Sequence, residues 1–177
     1  MHVDTRPRHH YVNRPARRAA WVVTSLMVSV AVWFLFFDGE RPSGPWEVVL
    51  AVALPCAVIW TLIRTALAPY VGWDDQQLVV RNPFFTYEVP LSGVRLLGRA
   101  GRGGALEVES IGTVLPWAMT RSVFDGRRAG AARRELRHAV RQAAGTATTP
   151  GRRRFRVAWS DILLAPMLGA AAWAFMP

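Results

Sequence analysis

The chain has 177 residues, 51% of them apolar, yet it carries 22 basic against 12 acidic side chains and a formal net charge of +10. That combination fits one modest domain plus membrane segments only if apolar and charged residues are segregated along the chain, and they are. The single cysteine, Cys56, excludes an intrachain disulfide; it lies in an apolar run and reads as a small buried hydrophobe.

Residues 1–18 form a basic tail holding Arg6, Arg8, Arg14, Arg17 and Arg18. The tail reads as disordered, with His9 and His10 too weak a pair to hold a metal. Ala19 to Phe37 is uncharged and without helical period, which predicts a helix apolar on all sides and about as long as the hydrocarbon is thick. Its apolar core is too long for a signal peptide and no small-residue cleavage site follows. Asp38 to Pro45 (DGERPSGP) is a tight turn. Trp46 to Leu67 is the second apolar run, with Glu47 and Arg64 near its ends where both can reach headgroups, Pro55 as an expected kink, and Trp46 and Trp60 as interfacial anchors. Residues 19–68 therefore read as a transmembrane hairpin whose two helices pack antiparallel. Fifteen arginines follow the second run, against Arg41 alone in the turn, so the positive-inside rule puts the N-terminus and the long region after Leu67 in the cytoplasm of a multi-pass protein of the cell membrane.

From Pro69 the pattern changes to short β-type runs separated by turn residues: Tyr70–Trp73, Leu78–Arg81, Thr86–Val89, Val94–Leu97, Ala105–Ser110 and Gly112–Leu115. In Ala105–Ser110, Leu106 and Val108 alternate with Glu107 and Glu109, one face inward and one outward. The period then becomes helical. From Arg127 to Ala144, Ala132, Leu136, Ala139, Val140 and Ala143 fall on one face, with Asp125 as N-cap and Gly145 as stop. Residues 146–156 form an Arg-rich linker. Residues 157–177 form a third apolar segment, in which Asp161 sits one turn inside with Arg156 as its nearest partner, and Ala165, Gly169 and Ala172 make a small-residue stripe that would admit another helix. Whether this segment spans the membrane or lies on it turns on its lack of a polar face, which favours spanning.

The order "GWDDQQLVVRNPFFTYEVPLSGVRLL", a hairpin, then "VLPWAMTRSVFDGRRAGAARRELRHAV" resembles the bacterial pleckstrin-homology-like (PH-like) domain of small actinobacterial membrane proteins. The matching positions are Arg81, Asn82, Pro83, Val89, Pro90, Asp125, Gly126 and Arg127, and the likeness covers about residues 24–142; the third apolar segment departs from it. The resemblance implies a transmembrane helical hairpin followed by residues 69–145 as a small, partly open antiparallel β barrel with a C-terminal helix; with the third apolar segment read from its own residues as a third transmembrane helix, the chain is expected to be α+β. It implies little about activity. In PH domains that bind phosphoinositides the loop between the first two strands is basic; here it is Asp74-Asp75-Gln76-Gln77, which argues against that mode.

No Cys/His cluster, G-x-S-x-G, H-E-x-x-H or Walker lysine occurs, so no catalytic, metal or cofactor site is expected and the chain reads as a non-enzyme. The glycine-rich stretch from Gly98 to Gly104 precedes a strand, not a helix, and reads as a hairpin connection rather than a phosphate cradle. The candidate contact residues are arginines: Arg95, Arg99 and Arg102 at that connection, Arg133, Arg137 and Arg141 on the helix, and Arg152, Arg153 and Arg154 in the linker. They suit anionic lipid headgroups or a protein partner. The expected function is non-catalytic: an integral membrane protein whose cytoplasmic domain binds a protein or the inner membrane surface. The alternatives are a membrane-tethered nucleic-acid binder, disfavoured for want of a recognition helix or an aromatic-basic strand face, and an accessory subunit of a membrane transport assembly.

Overall fold

The computed structural model describes residues 8–36, 44–96, 105–119, 126–143 and 149–174. Its elements begin with β1 (His9–Tyr11) and α1 (Arg14–Phe36). The second apolar helix follows in four pieces: α2 (Pro45–Val48), a π-helical stretch Val49–Ala53, α3 (Leu54–Leu62) and a second π stretch Ile63–Leu67. Then come β2 (Tyr70–Trp73), β3 (Gln77–Arg81), β4 (Phe85–Pro90), β5 (Val94–Leu96), β6 (Leu106–Val108), β7 (Gly112–Val114), α4 (Gly126–Gln142), β8 (Arg152–Phe155), a 3-10 turn Trp159–Leu163 and α5 (Leu164–Ala174). The elements fall into two units, Met1–Ala16 with Ala68–Arg156, and Arg17–Leu67 with Val157–Pro177.

The first unit is α+β. One antiparallel sheet has the order β1-β2-β3-β4-β8, and a second has the order β5-β6-β7. Two short connections set the register of the central hairpins. The Asp74 carboxylate accepts the backbone N–H groups of Gln76 (2.8 Å) and Gln77 (2.7 Å), an Asx turn that reverses β2 into β3. The Asn82 side-chain amide, between β3 and β4, donates to the Leu115 carbonyl (2.9 Å) and accepts from Trp117 N–H (2.8 Å), so one amide ties that reversal to the exit of β7. Period-2 burial follows: Leu78 and Val80 of β3, Val89 of β4, and Leu106 and Val108 of β6 are inside. They join Leu91, Val114, Met119 and the Ala129–Ala132–Leu136 face of α4 in one core. The two sheets are separate ladders and neither closes on itself; the expected partly open barrel is, at the level the strands define, a pair of antiparallel sheets with a helix.

Two segments differ from the sequence reading. The tail is not disordered at His9–Tyr11, which pairs with β2 in the register His9↔Trp73, His10↔Gly72, Tyr11↔Val71. Tyr11 is buried in the core and the exposed His9 ring stacks on Trp73 at 5.8 Å; Tyr11 supplies the burial that the surrounding basic tail conceals. The segment read as an Arg-rich linker supplies β8, paired as Phe85↔Phe155, Thr86↔Arg154, Tyr87↔Arg153 and Glu88↔Arg152. The domain therefore extends beyond residues 69–145 at both ends. The proposed N-cap Asp125 and stop Gly145 lie outside the described residues.

The second unit is helical. By length and composition, two helices, Arg14–Phe34 and Val49–Leu67, could cross a membrane. Along α1, Trp21, Val22, Leu26, Val30 and Trp33 are exposed. Pro55 does not break the second helix. It sits at the start of α3 directly after the π stretch Val49–Ala53, and the wider turn makes room where a proline ring would otherwise meet the carbonyl four residues back. The extensive packing of this helix is with the C-terminal segment: the Trp159–Leu163 turn lies on α3, and α5 runs on past α3 and the first π stretch to α2. The antiparallel partner of the second apolar run is thus the third, where the sequence had suggested the first. Ala165, Gly169 and Ala172 are exposed, and a Cβ at Gly169 would meet nothing within 4 Å, so the small-residue stripe is not the packing surface; Ala170 is buried instead.

Two glycine substitutions should act in opposite directions. A Cβ at Gly151 would come within 2.6 Å of Val89 Cγ1 and 2.8 Å of Ser110 Oγ, whose hydroxyl oxygen already accepts the Gly151 N–H at 2.9 Å. Gly151→Ala is expected to lower stability by about 1–3 kcal/mol through overpacking. At Gly130 in α4 the nearest neighbour is Arg134 Nη1 at 3.8 Å, so Gly130→Ala is expected to raise stability by about 0.5–1 kcal/mol. Thermal unfolding of the purified chain in detergent, followed by circular dichroism, measures both.

Candidate functional site

Two groups of polar side chains stand out, one in each unit. In the helical unit, Arg64 is 2% exposed although it lies three residues from the end of the second apolar run. Its guanidinium pairs with Asp161: Nε donates to Oδ1 at 3.1 Å, and Nη2 donates to both carboxylate oxygens. Trp60, one helical turn before Arg64, donates Nε1–H to Oδ1 at 3.0 Å, and the Arg64 guanidinium lies 5.8 Å from its ring centroid. The Asp161 carboxylate also accepts the Ala158 N–H at 2.9 Å, while Asp161 N–H donates to the Ala158 carbonyl at 2.9 Å. This reciprocal pair starts the Trp159–Leu163 turn.

A carboxylate that accepts hydrogen bonds from a fork-shaped cation, an indole and its own turn is compensated on all sides. The partner expected from sequence proximity, Arg156, is not the one used, and Arg64 is buried against Asp161 rather than exposed. A signal for the correct pairing was present. Asp161 is an ionisable residue inside an apolar run and requires a cation at the same depth; Arg64 is the one arginine that interrupts the end of another such run.

In the α+β unit the candidate arginines separate by role. Arg133 is half-buried, and its Nη2 donates to the Met119 carbonyl. The stripe Arg133–Arg137–Arg141 is therefore not a single exposed line: residues four apart drift about 40° around a helix at each step. The exposed line is the heptad Arg127, Arg134 and Arg141, with Arg137 and His138 beside it. It lies opposite Ala129, Ala132 and Leu136, which are buried. Arg95 is exposed on β5, opposite Glu107 of β6. Arg99 and Arg102 lie outside the described residues, as does the glycine-rich connection that holds them.

On β8, Arg152 and Arg154 share one face and Arg153 the other. Arg154 Nη2 is 3.7 Å from a Glu88 carboxylate oxygen, and the Arg153 guanidinium sits 3.8 Å above the Phe85 ring. Arg153 and Arg154 thus fasten an edge strand to β4. The polar groove nearest them, about 530 Å³, is lined by Asp75, Gln76, Gln77, Glu88, Ser92 and Arg152 among others; its two carboxylates are already answered by Arg8 (2.7 Å from Asp75) and Arg154. Among the described residues, no group of three or more His, Cys, Asp or Glu is placed to hold a metal ion.

No known family model, curated protein or solved structure matches the chain.

The Arg64–Asp161 pair is expected to hold the C-terminal segment against the second helix. Asp161→Ala leaves an uncompensated buried guanidinium and should cost about 2–4 kcal/mol, somewhat less than for a fully enclosed pair because the Asp161 side chain is 23% exposed. The double variant Arg64→Leu with Asp161→Leu should recover most of that loss. Denaturant unfolding in detergent, read by tryptophan fluorescence, distinguishes the two. Equal stability of Asp161→Ala and the parent chain would show that the pair holds nothing.

Proposed function

We propose that the chain is a non-catalytic integral membrane protein that holds a small α+β interaction domain against one face of a membrane. The observation that carries this reading is the way a single sheet is spliced into the apolar segments. Only Val12 and Asn13 separate β1 from α1, only Ala68 and Pro69 separate the second apolar helix from β2, and only Arg156, Val157 and Ala158 separate β8 from the turn that leads into α5. A hydrogen-bonded sheet cannot straddle hydrocarbon. If the apolar helices are inserted, all three crossings start or finish on the side that holds the sheet.

On the same logic we read the third segment as a span. It packs antiparallel along the second helix as far as α2, with its one carboxylate neutralised by Arg64. N-terminus and domain are then on the arginine-rich, cytoplasmic side, and the chain after α5 emerges on the other. The succession of a hairpin sheet, a three-stranded sheet and a helix is what supports the PH-like reading of the domain. Protein surfaces and the inner membrane surface are the partners this placement makes available.

Cysteines introduced singly, in a Cys56→Ala background, at His10, in the turn at Gly44 and after Pro177 should label with a membrane-impermeant maleimide in a defined pattern. In intact cells the turn and the C-terminal site react; the His10 site reacts only after the membrane is opened, together with a cysteine at exposed Gln142. Reaction of the His10 and Gln142 sites from opposite sides, or recovery of the whole chain in the soluble fraction without detergent, would overturn the reading. A turnover abolished by one substitution in the α+β unit would overturn its non-catalytic part.

A further inference from the structure

We propose that the exposed arginine line of α4 is a docking face for the anionic phosphate headgroups of the bilayer in which the chain's own apolar segments sit. The inference rests on the membrane-anchored reading above and names the partner of its interaction domain.

The argument begins with charge that the fold leaves unanswered. Arg127, Arg134, Arg137 and Arg141 are exposed, and among the described residues none of them forms an ion pair. The one acid on α4, Glu135, lies on the flank of the line rather than within it. Several other arginines of the unit are committed differently: Arg81 to Tyr70, Arg133 to Met119, Arg153 to Phe85, Arg154 to Glu88 and Arg8 to Asp75. Like charges kept within one turn of each other cost stability, and among the described residues no acidic side chain is paired with them. An external anion would offset that cost.

The shape of the face narrows the choice of anion. From Arg127 to Arg141 it extends about 21 Å along a straight helix, at 1.5 Å per residue, and it carries no Phe, Tyr or Trp and no large apolar side chain, His138 being the one ring beside it. It is therefore not an inserting amphipathic helix, whose apolar face would have to be free; here that face is spent on Ala129, Ala132 and Leu136 in the core. It also lacks the aromatic platform on which single-stranded bases stack. What remains is a peripheral contact with a layer of phosphates, where each arginine adds a nearly independent increment. Tethering decides the source. The three connections from the sheet to the apolar segments are each two or three residues long, at most about 3.5 Å per residue, so the sheet stays close to the headgroup layer, and that layer is present at high effective concentration.

The test uses the full chain, Cys56→Ala with Gln142→Cys, labelled with a fluorophore and reconstituted in nanodiscs. One set is phosphatidylcholine alone; the other has one third of it replaced by phosphatidylglycerol. Both carry a headgroup-attached quencher. Quenching is expected in the anionic discs only, and it should fade between low and high salt as the screening length shortens. Arg134→Gln, Arg137→Gln and Arg141→Gln together should weaken docking on the order of a hundredfold, about fivefold per arginine, with an unchanged far-ultraviolet spectrum. The salt titration of the parent chain needs no variant and tests the same claim. Equal quenching in both kinds of disc overturns the proposal, as does release of α4 from anionic discs by a short DNA or RNA duplex at equal phosphate concentration. A chain that fails to enter discs at all sinks the membrane reading instead, so the two failures are distinct.

Discussion

The backbone hydrogen bonds between His9–Tyr11 and Val71–Trp73 constrain everything else. They join two pieces of chain that are neighbours in space and are separated in sequence by both candidate membrane helices. Closing a loop of that length is entropically unfavourable, and a three-residue strand offers few ladder bonds to offset it. The remainder comes from side chains: Tyr11 enters the core and His9 stacks on Trp73. On the membrane reading the cost is smaller than chain length suggests, because an inserted hairpin would already have returned the chain to its starting side. Strand pairing and insertion then reinforce each other, and each makes the other's alternative topology harder to reach.

The Arg64–Asp161 pair works at the same level in the helical unit. A buried ion pair contributes little net stability compared with apolar side chains of equal size. What it contributes is register. A carboxylate that must find both a guanidinium and an indole, with its own turn already fixed through Ala158, can do so at one position along the second helix. Apolar packing alone is tolerant of sliding, since leucines and alanines recur throughout both segments. The exposed small-residue stripe of α5 makes the point from the other side: close-approach geometry was available and the chain packs by a different face.

Local pattern made much of the architecture legible. The strands of the two hairpins and the helix near Arg127–Ala144 were readable from period and punctuation, because their burial is decided by neighbours a few residues away, and the two long apolar helices from unbroken apolar length alone. What was hidden depends on partners distant in sequence. β1 and β8 are segments of only three and four residues, the one His-His-Tyr and the other led by three arginines, indistinguishable from tail and linker until β2 and β4 are placed beside them. The pairing of Asp161 with Arg64 spans 97 residues and overrides the nearer Arg156. The arginine line of α4 was misphased because a spacing of four drifts around the helix while a spacing of seven nearly does not.

The chemistry of α4 shows why its two faces carry such different residue types. The inner face is alanine-rich, with Leu136 as its one large, fully buried side chain. Small residues let a helix lie close to a sheet but remove little apolar area from water, so the hydrophobic term per turn is modest. The contact between Arg133 and the Met119 carbonyl therefore matters more here than it would on a leucine-rich helix. A helix held this lightly cannot also sustain several unpaired cations at low ionic strength without loss of local stability. On the docking proposal an anionic surface would supply the missing counter-charge, and binding of the surface and ordering of the helix would then be one coupled equilibrium.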